Sequence, residues 1–106
     1  KLCKKILNLR IFNDSNNKIC YNIQDIKGEI LLISQFTLCA NVKKGNRPSF
    51  IDAMPHSEAG QLFERVAQEL NLYISTKTGQ FGATMSVSLI NEGPMTIMID
   101  TDEKNK

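Results

Sequence analysis

The sequence has one histidine, His56, and only three cysteines, Cys3, Cys20 and Cys39, none in a C-x-x-C spacing. An odd number of thiols without paired spacing does not make a disulfide framework, and a lone histidine cannot complete a zinc site with them. No metal or cofactor is therefore expected, and a reducing, cytoplasmic setting is. No apolar run approaches the ~20 residues that a membrane-spanning helix needs, and no signal-peptide pattern opens the chain. An excess of one charge sign is missing too: Lys+Arg 13 against Asp+Glu 11 leaves +2, so any site for a polyanion has to be local. Repeats and low-complexity linkers are absent, and 106 residues suffice for one modest domain, not two. The sequence begins at Lys1, not Met, in the middle of an amphipathic pattern, so its true N-terminus is expected to be missing.

What is present, 42% hydrophobic and 23% charged residues, is the make-up of an ordinary globular protein. Leu2, Ile6 and Leu9 recur at helical spacing and predict the last turns of a helix. Residues 13–18, "NDSNNK", form a turn; "ICYNI" is a short strand and "DIKG" a second turn. "EILLISQFTL", residues 29–38, has the length and apolarity of a strand buried on both faces. From Cys39 to Pro55 periodicity disappears, leaving a loop whose tip carries Lys43, Lys44 and Arg47. Ser57 is placed to cap a helix, Glu58 to favour its first turn, and Ala59, Leu62, Phe63, Val66, Ala67 and Leu70 make its apolar stripe. After the loop "KTGQFG", Met85, Val87 and Leu89 alternate as a half-buried strand, and Met95, Ile97 and Ile99 do so in a final one. Residues 101–106 form a charged tail expected to fray. The whole predicts a single α+β domain over 1–106, built on a mostly antiparallel sheet or open β-barrel with two helices.

Three segments are candidates for chemistry. Ser34, Gln35, Phe36 and Thr37 end the apolar strand, where polar side chains either line a pocket beside loops or are ordinary strand residues turned to solvent. No G-x-S-x-G surrounds Ser34, which speaks against a Ser-His-Asp hydrolase. His56 reads as a solvated residue just before the helix, and Cys39 as a small buried hydrophobe. The basic loop "KKGNRPSF" is either a solvated surface or a grip for phosphates beside glycine and asparagine amides. Gly93-Pro94, in "NEGPMT", is either a plain turn at a sheet edge or a cis bond that aims two carbonyl oxygens the same way.

"SQFTL", "KKGNRPSF", "TGQFGATMSVSLIN" and "NEGPMT", in this order and at this spacing, resemble the D-aminoacyl-tRNA deacylases, whose motifs are Ser-Gln-x-x-x and Asn-x-Gly-Pro-x-Thr. The resemblance also takes in "KILNLRIF" and so covers nearly the whole chain; the family's preceding strands have no counterpart here, and Met95 stands where valine is commoner. It implies that Ser34, Gln35, Phe36 and Thr37 line the pocket for the aminoacyl-adenosine end of tRNA, Phe36 offering its backbone N–H to the ester. Thr37 matches a threonine once considered as the nucleophile. It further implies that Phe81, Gly82 and Met85 help enclose the substrate, and that Lys43, Lys44 and Arg47 contact tRNA phosphates. Asn91, Gly93, Pro94 and Thr96 carry the second motif, whose Gly-cisPro reaches into the partner's pocket of a homodimer and excludes L-amino acids while admitting D-amino acids or glycine. The competing expectation, from the basic loop and the lack of an acid–base pair, is a non-catalytic RNA- or DNA-binding module.

Overall fold

A computed structural model describes residues 1–93 and 95–101. In chain order these form helix α1 (Leu2–Asn8), strands β1 (Phe12–Asn13), β2 (Ile19–Tyr21) and β3 (Ile30–Leu32), a 3-10 turn over Phe36–Cys39, helix α2 (His56–Asn71) and strand β4 (Thr76–Thr78). The class is α+β, as expected. β1 and β2 pair antiparallel, with a register shift between Phe12 and Asn13. The reversal between them follows from its residues: the Asp14 carboxylate accepts the backbone N–H groups of Asn16 (2.8 Å) and Lys18 (3.0 Å), and Asn17 takes the left-handed φ of 59° that asparagine tolerates.

β3 and β4 pair parallel, Ile30 opposite Thr76 and Leu32 opposite Thr78. Parallel neighbours cannot be joined by a hairpin, and the crossover here contains the 16-residue helix α2. The ladder extends past both ends: the Ile30 N–H donates to the Ser75 carbonyl (2.9 Å) and the Gly79 N–H to the Leu32 carbonyl (3.0 Å). Leu70 on α2 is fully buried against Cys3 and Leu7 of α1, with Ile30, Leu32, Val66 and Ile74 packed around them. Thr76 enters this core as a polar residue and is satisfied there, its hydroxyl donating to the Ile74 carbonyl and its N–H to the Asn71 side-chain oxygen.

Several local expectations give way to this arrangement. Residues 29–38 do not form one strand: only Ile30–Leu32 pair, Leu31 is 59% exposed, and the chain then leaves the sheet for the 3-10 turn. Burial on both faces needs a layer on each side and neighbours along the full length, and β3 has the three-residue β4 alone as its partner among the described residues. β4 itself falls partly in what reads as the loop "KTGQFG". Residues 83–93 and 95–100 are not assigned to any strand; over 97–99 the exposure keeps the alternation, Met98 being 93% exposed between Ile97 (49%) and Ile99 (36%). Alternation decides which side chains face inward; a strand also requires a neighbouring backbone to bond. Ser57 is the second residue of α2, not its cap; Pro55 holds that position, with no side-chain cap bond. Leu62 is exposed and stands outside the stripe, and Cys39 is exposed at the end of the 3-10 turn, where its side chain meets solvent.

The chain has 9364 Å² of accessible surface, where about 6,000 Å² is usual for a folded monomer of this mass. Its core is correspondingly small, so each buried side chain counts for much. Leu70→Ala is expected to cost about 2–5 kcal/mol in denaturant unfolding, with Leu62→Ala within about 0.5 kcal/mol of the parent. The Cys3 thiol is pushed up from 9.0 to about 11, first by burial and then by the neighbouring Glu69 carboxylate. A raised folded value stabilises the protein fully below the unfolded value and is lost as pH rises through the folded one. Stability is therefore expected to fall between pH 9 and 11 through Cys3, and Cys3→Ala should flatten that part of a stability-versus-pH series.

Candidate active site

A cavity of about 590 Å³ lies just beyond the C-terminal ends of the parallel pair. β3 runs directly into Ile33, Ser34, Gln35 and Phe36, and β4 into the loop carrying Phe81, Gly82 and Met85, so one three-residue ladder delivers two walls to the same place. The C-terminal ends of parallel strands are where α/β sheets place ligands, because the chain leaves the sheet there in diverging loops. The third wall is the end of the long loop and the first turn of α2, with Phe50, Met54 and His56.

Ser34 is half-buried, and Gln35 is extended at φ −154°, ψ 94° immediately before the 3-10 turn. Neither side chain hydrogen-bonds another described residue, so both remain available to a ligand. The Phe36 N–H opens the 3-10 turn and has no backbone acceptor among the described residues, as is general for the first donors of a helical turn. Two aromatic groups face the cavity. Phe36 meets Phe50 edge to face at 5.0 Å between ring centres, and Phe81 lies between His56 (5.1 Å) and Phe63 (5.6 Å). Gly82 is glycine for two reasons: its φ of 75°, and the His56 Nε2 that would stand 2.7 Å from any Cβ.

Of the residues singled out in the sequence, the fold brings together Ser34, Gln35, Phe36, Phe81, Gly82 and Met85 on this cavity. Thr37 is not on its wall; it lies exposed inside the 3-10 turn, its carbonyl accepting the Ala40 N–H at 3.1 Å. Asn91, Gly93 and Thr96 are likewise not on it, and Pro94 lies outside the described residues. Lys43, Lys44 and Arg47 are exposed on a loop closed by the Asn41–Ser49 bridge and turned at Gly45, φ 63°. Sequence reasoning missed Phe50 and Thr84 and gave His56 to solvent. His56 is exposed, yet it is the only titratable side chain on the cavity wall among the described residues. The helical stripe held the missing signal, since His56 stands seven residues before Phe63 on α2.

With no carboxylate, lysine or cysteine on that wall among the described residues, the site lacks a side-chain acid–base pair. What it offers is shape, apolar rings, the polar side chains of Ser34, Gln35 and Thr84, and a Phe36 N–H without a backbone acceptor among the described residues. Such a set suits a reaction on an already activated carbonyl, where orientation and oxyanion stabilisation carry the rate.

A family model described as D-Tyr-tRNA(Tyr) deacylase matches residues 1–100. The D-aminoacyl-tRNA deacylase of a Nitratiruptor species is 48% identical over 101 residues, which is 95% of this chain and 69% of that protein. Among solved structures, the c-Myc DNA Unwinding Element Binding Protein superposes with a TM-score of 0.81 at 41% identity, over 91% of this chain and 66% of that one. The chain thus spans about two thirds of the length of these relatives. On these matches, the chain belongs to the D-Tyr-tRNA(Tyr) deacylase family of hydrolases.

Proposed function

We propose that this chain acts as a tRNA-editing deacylase, hydrolysing the ester between a D-amino acid and the 3′ end of tRNA to release free D-amino acid and tRNA. The observation that carries this reading is the cavity, which joins the Ser34–Phe36 segment to Phe81 and Met85 without a side-chain acid–base pair. In the proposed mechanism, Phe81 and Met85 hold the terminal adenosine while Ser34 and Gln35 orient the aminoacyl group. Water adds to the ester carbonyl, assisted by the substrate's own terminal ribose hydroxyl, and the Phe36 N–H stabilises the oxyanion. The bond to the ribose oxygen then breaks, and that oxygen takes the proton. Thr37, off the cavity wall, has no covalent part in this scheme.

Chirality falls to Gly93 and Pro94, with Asn91 and Thr96 of the same motif, entering the cavity from a second copy of the chain. A cis Gly93–Pro94 bond would set two carbonyls where an L side chain has to go; a D-amino acid avoids them, and glycine has no side chain to exclude, so glycyl-tRNA is a substrate as well. A homodimer accounts for Gly93 being off the wall of its own cavity, and it would cover part of an apolar surface that includes Leu89 (68% exposed) and Ile90 (95%). Lys43, Lys44 and Arg47 serve the tRNA phosphates, and the site of action is the cytoplasm. No helix among the described residues is long and apolar enough to cross a membrane.

The name of the solved relative favours one second reading, a DNA- or RNA-binding module without esterase activity. A deacylation assay separates the two. D-Tyr-tRNA is expected to be hydrolysed and L-Tyr-tRNA spared, with Pro94→Ala narrowing the ratio more than it slows the D reaction; equal turnover of both enantiomers by the unaltered chain would sink the chiral scheme. Replacing Lys43, Lys44 and Arg47 by alanine is expected to weaken tRNA binding and to lower the slope of log K against log salt by about one for every phosphate no longer neutralised. A slope unchanged in a titration from low to moderate salt removes the loop from the tRNA interface.

A further inference from the structure

Phe81 projects from its loop onto one face of α2. His56, Gly60 and Phe63 stand at i, i+4 and i+7 of that helix, the spacing that puts three residues in line on one side. Phe81 lies between the two outer rings, 5.1 Å from His56 and 5.6 Å from Phe63, and over the middle position, where a Cβ on Gly60 would come 3.4 Å from its Cε2. The helix face is thus a socket: Gly60 leaves the notch, and the flanking rings set where the Phe81 ring sits. His56 forms the edge of the socket nearest the cavity and lines it, while Phe63 does not. Its Nε2 also occupies the space a side chain on Gly82, the next residue, would fill.

We propose that His56 is a positioning residue for the substrate: its ring holds Phe81 in the α2 socket and so fixes the wall against which the nucleoside end of the substrate packs. This rests on the deacylase reading of the cavity. The part played by His56 is steric and aromatic, through Phe81, with no proton transferred to or from the imidazole. An i, i+4, i+7 contact anchors the loop after β4 to the helix before it, so the width of the cavity is set by a helix face and not by a free loop.

The test compares His56→Ala, His56→Gln and His56→Phe in the same chain, with circular dichroism to confirm that α2 is retained. His56→Ala is expected to raise KM for D-Tyr-tRNA about tenfold while kcat stays within about twofold, the pattern of weakened ground-state positioning. His56→Gln, which keeps a hydrogen-bonding end without a ring, should behave like alanine, and His56→Phe should restore KM. A His56→Phe variant as impaired as alanine, or a His56→Ala variant that lowers Tm with KM unchanged, overturns the proposal. The Phe81 ring signals, followed by NMR with labelled phenylalanine, should shift in His56→Ala and return in His56→Phe; signals that do not move also overturn it. If the unaltered chain hydrolyses no aminoacyl-tRNA, the functional reading fails separately. Binding of the non-hydrolysable amide 3′-(D-tyrosylamino)-3′-deoxyadenosine then decides: weaker binding by His56→Ala, restored by His56→Phe, supports the proposal, and equal binding or none refutes it.

Discussion

The structure depends on a parallel pairing only three residues long, Ile30–Leu32 with Thr76–Thr78. A parallel pair forces the chain to travel the length of the sheet and return, and the return is made through α2. Leu70, near the end of that helix, is buried against Cys3 and Leu7, which ties the crossover to α1 as well as to the sheet. Since both strands point the same way, the segments that follow them emerge at one end, and the cavity opens there.

The chemistry of the cavity is a consequence of the same geometry. A strand that ends after Leu32 releases Ser34 and Gln35 from any ladder, and the 3-10 turn that follows leaves the Phe36 N–H without a backbone acceptor among the described residues. Among the described residues, His56 is the one acid or base side chain on the wall. For an aminoacyl ester this is no handicap: the bond is activated before it reaches the enzyme, and the demanding task is to discriminate between substrates. A rigid wall helps such discrimination, and the seat of Phe81 on α2 supplies rigidity where a loop alone would leave freedom.

Much of this was legible in the residues. The stripe of α2 from Ala59 to Leu70 without Leu62, the turn at Asp14 to Lys18 and the basic loop around Gly45 are local patterns, and the fold keeps them. The α+β class followed from the order of elements. Six of the residues singled out for the site meet on one cavity: Ser34, Gln35, Phe36, Phe81, Gly82 and Met85. Where reading failed, pairing was at issue. The run from Glu29 to Leu38 has the apolarity of a long strand and becomes a short strand and a 3-10 turn, while the alternating run from Thr84 to Ile90 forms no ladder among the described residues. Cys39 is as apolar in the sequence as Cys3, yet only Cys3 is buried, because α1 packs on α2 and the 3-10 turn lies at the surface.

By itself, the sequence determined what depends on near neighbours along the chain. That comprises the helix periodicity, the Asx-type turn at Asp14, the absence of a metal-binding cysteine pattern, and the ordered motifs that carry the family. Tertiary structure alone decided which apolar runs became strands and which thiol was buried. It also decided that Thr37 leaves the cavity while His56 joins it. These outcomes rest on contacts between segments far apart in sequence. A β ladder needs a second backbone to bond, and a ring socket needs a helix face opposite the loop that fills it; neither condition is written in the residues that satisfy it.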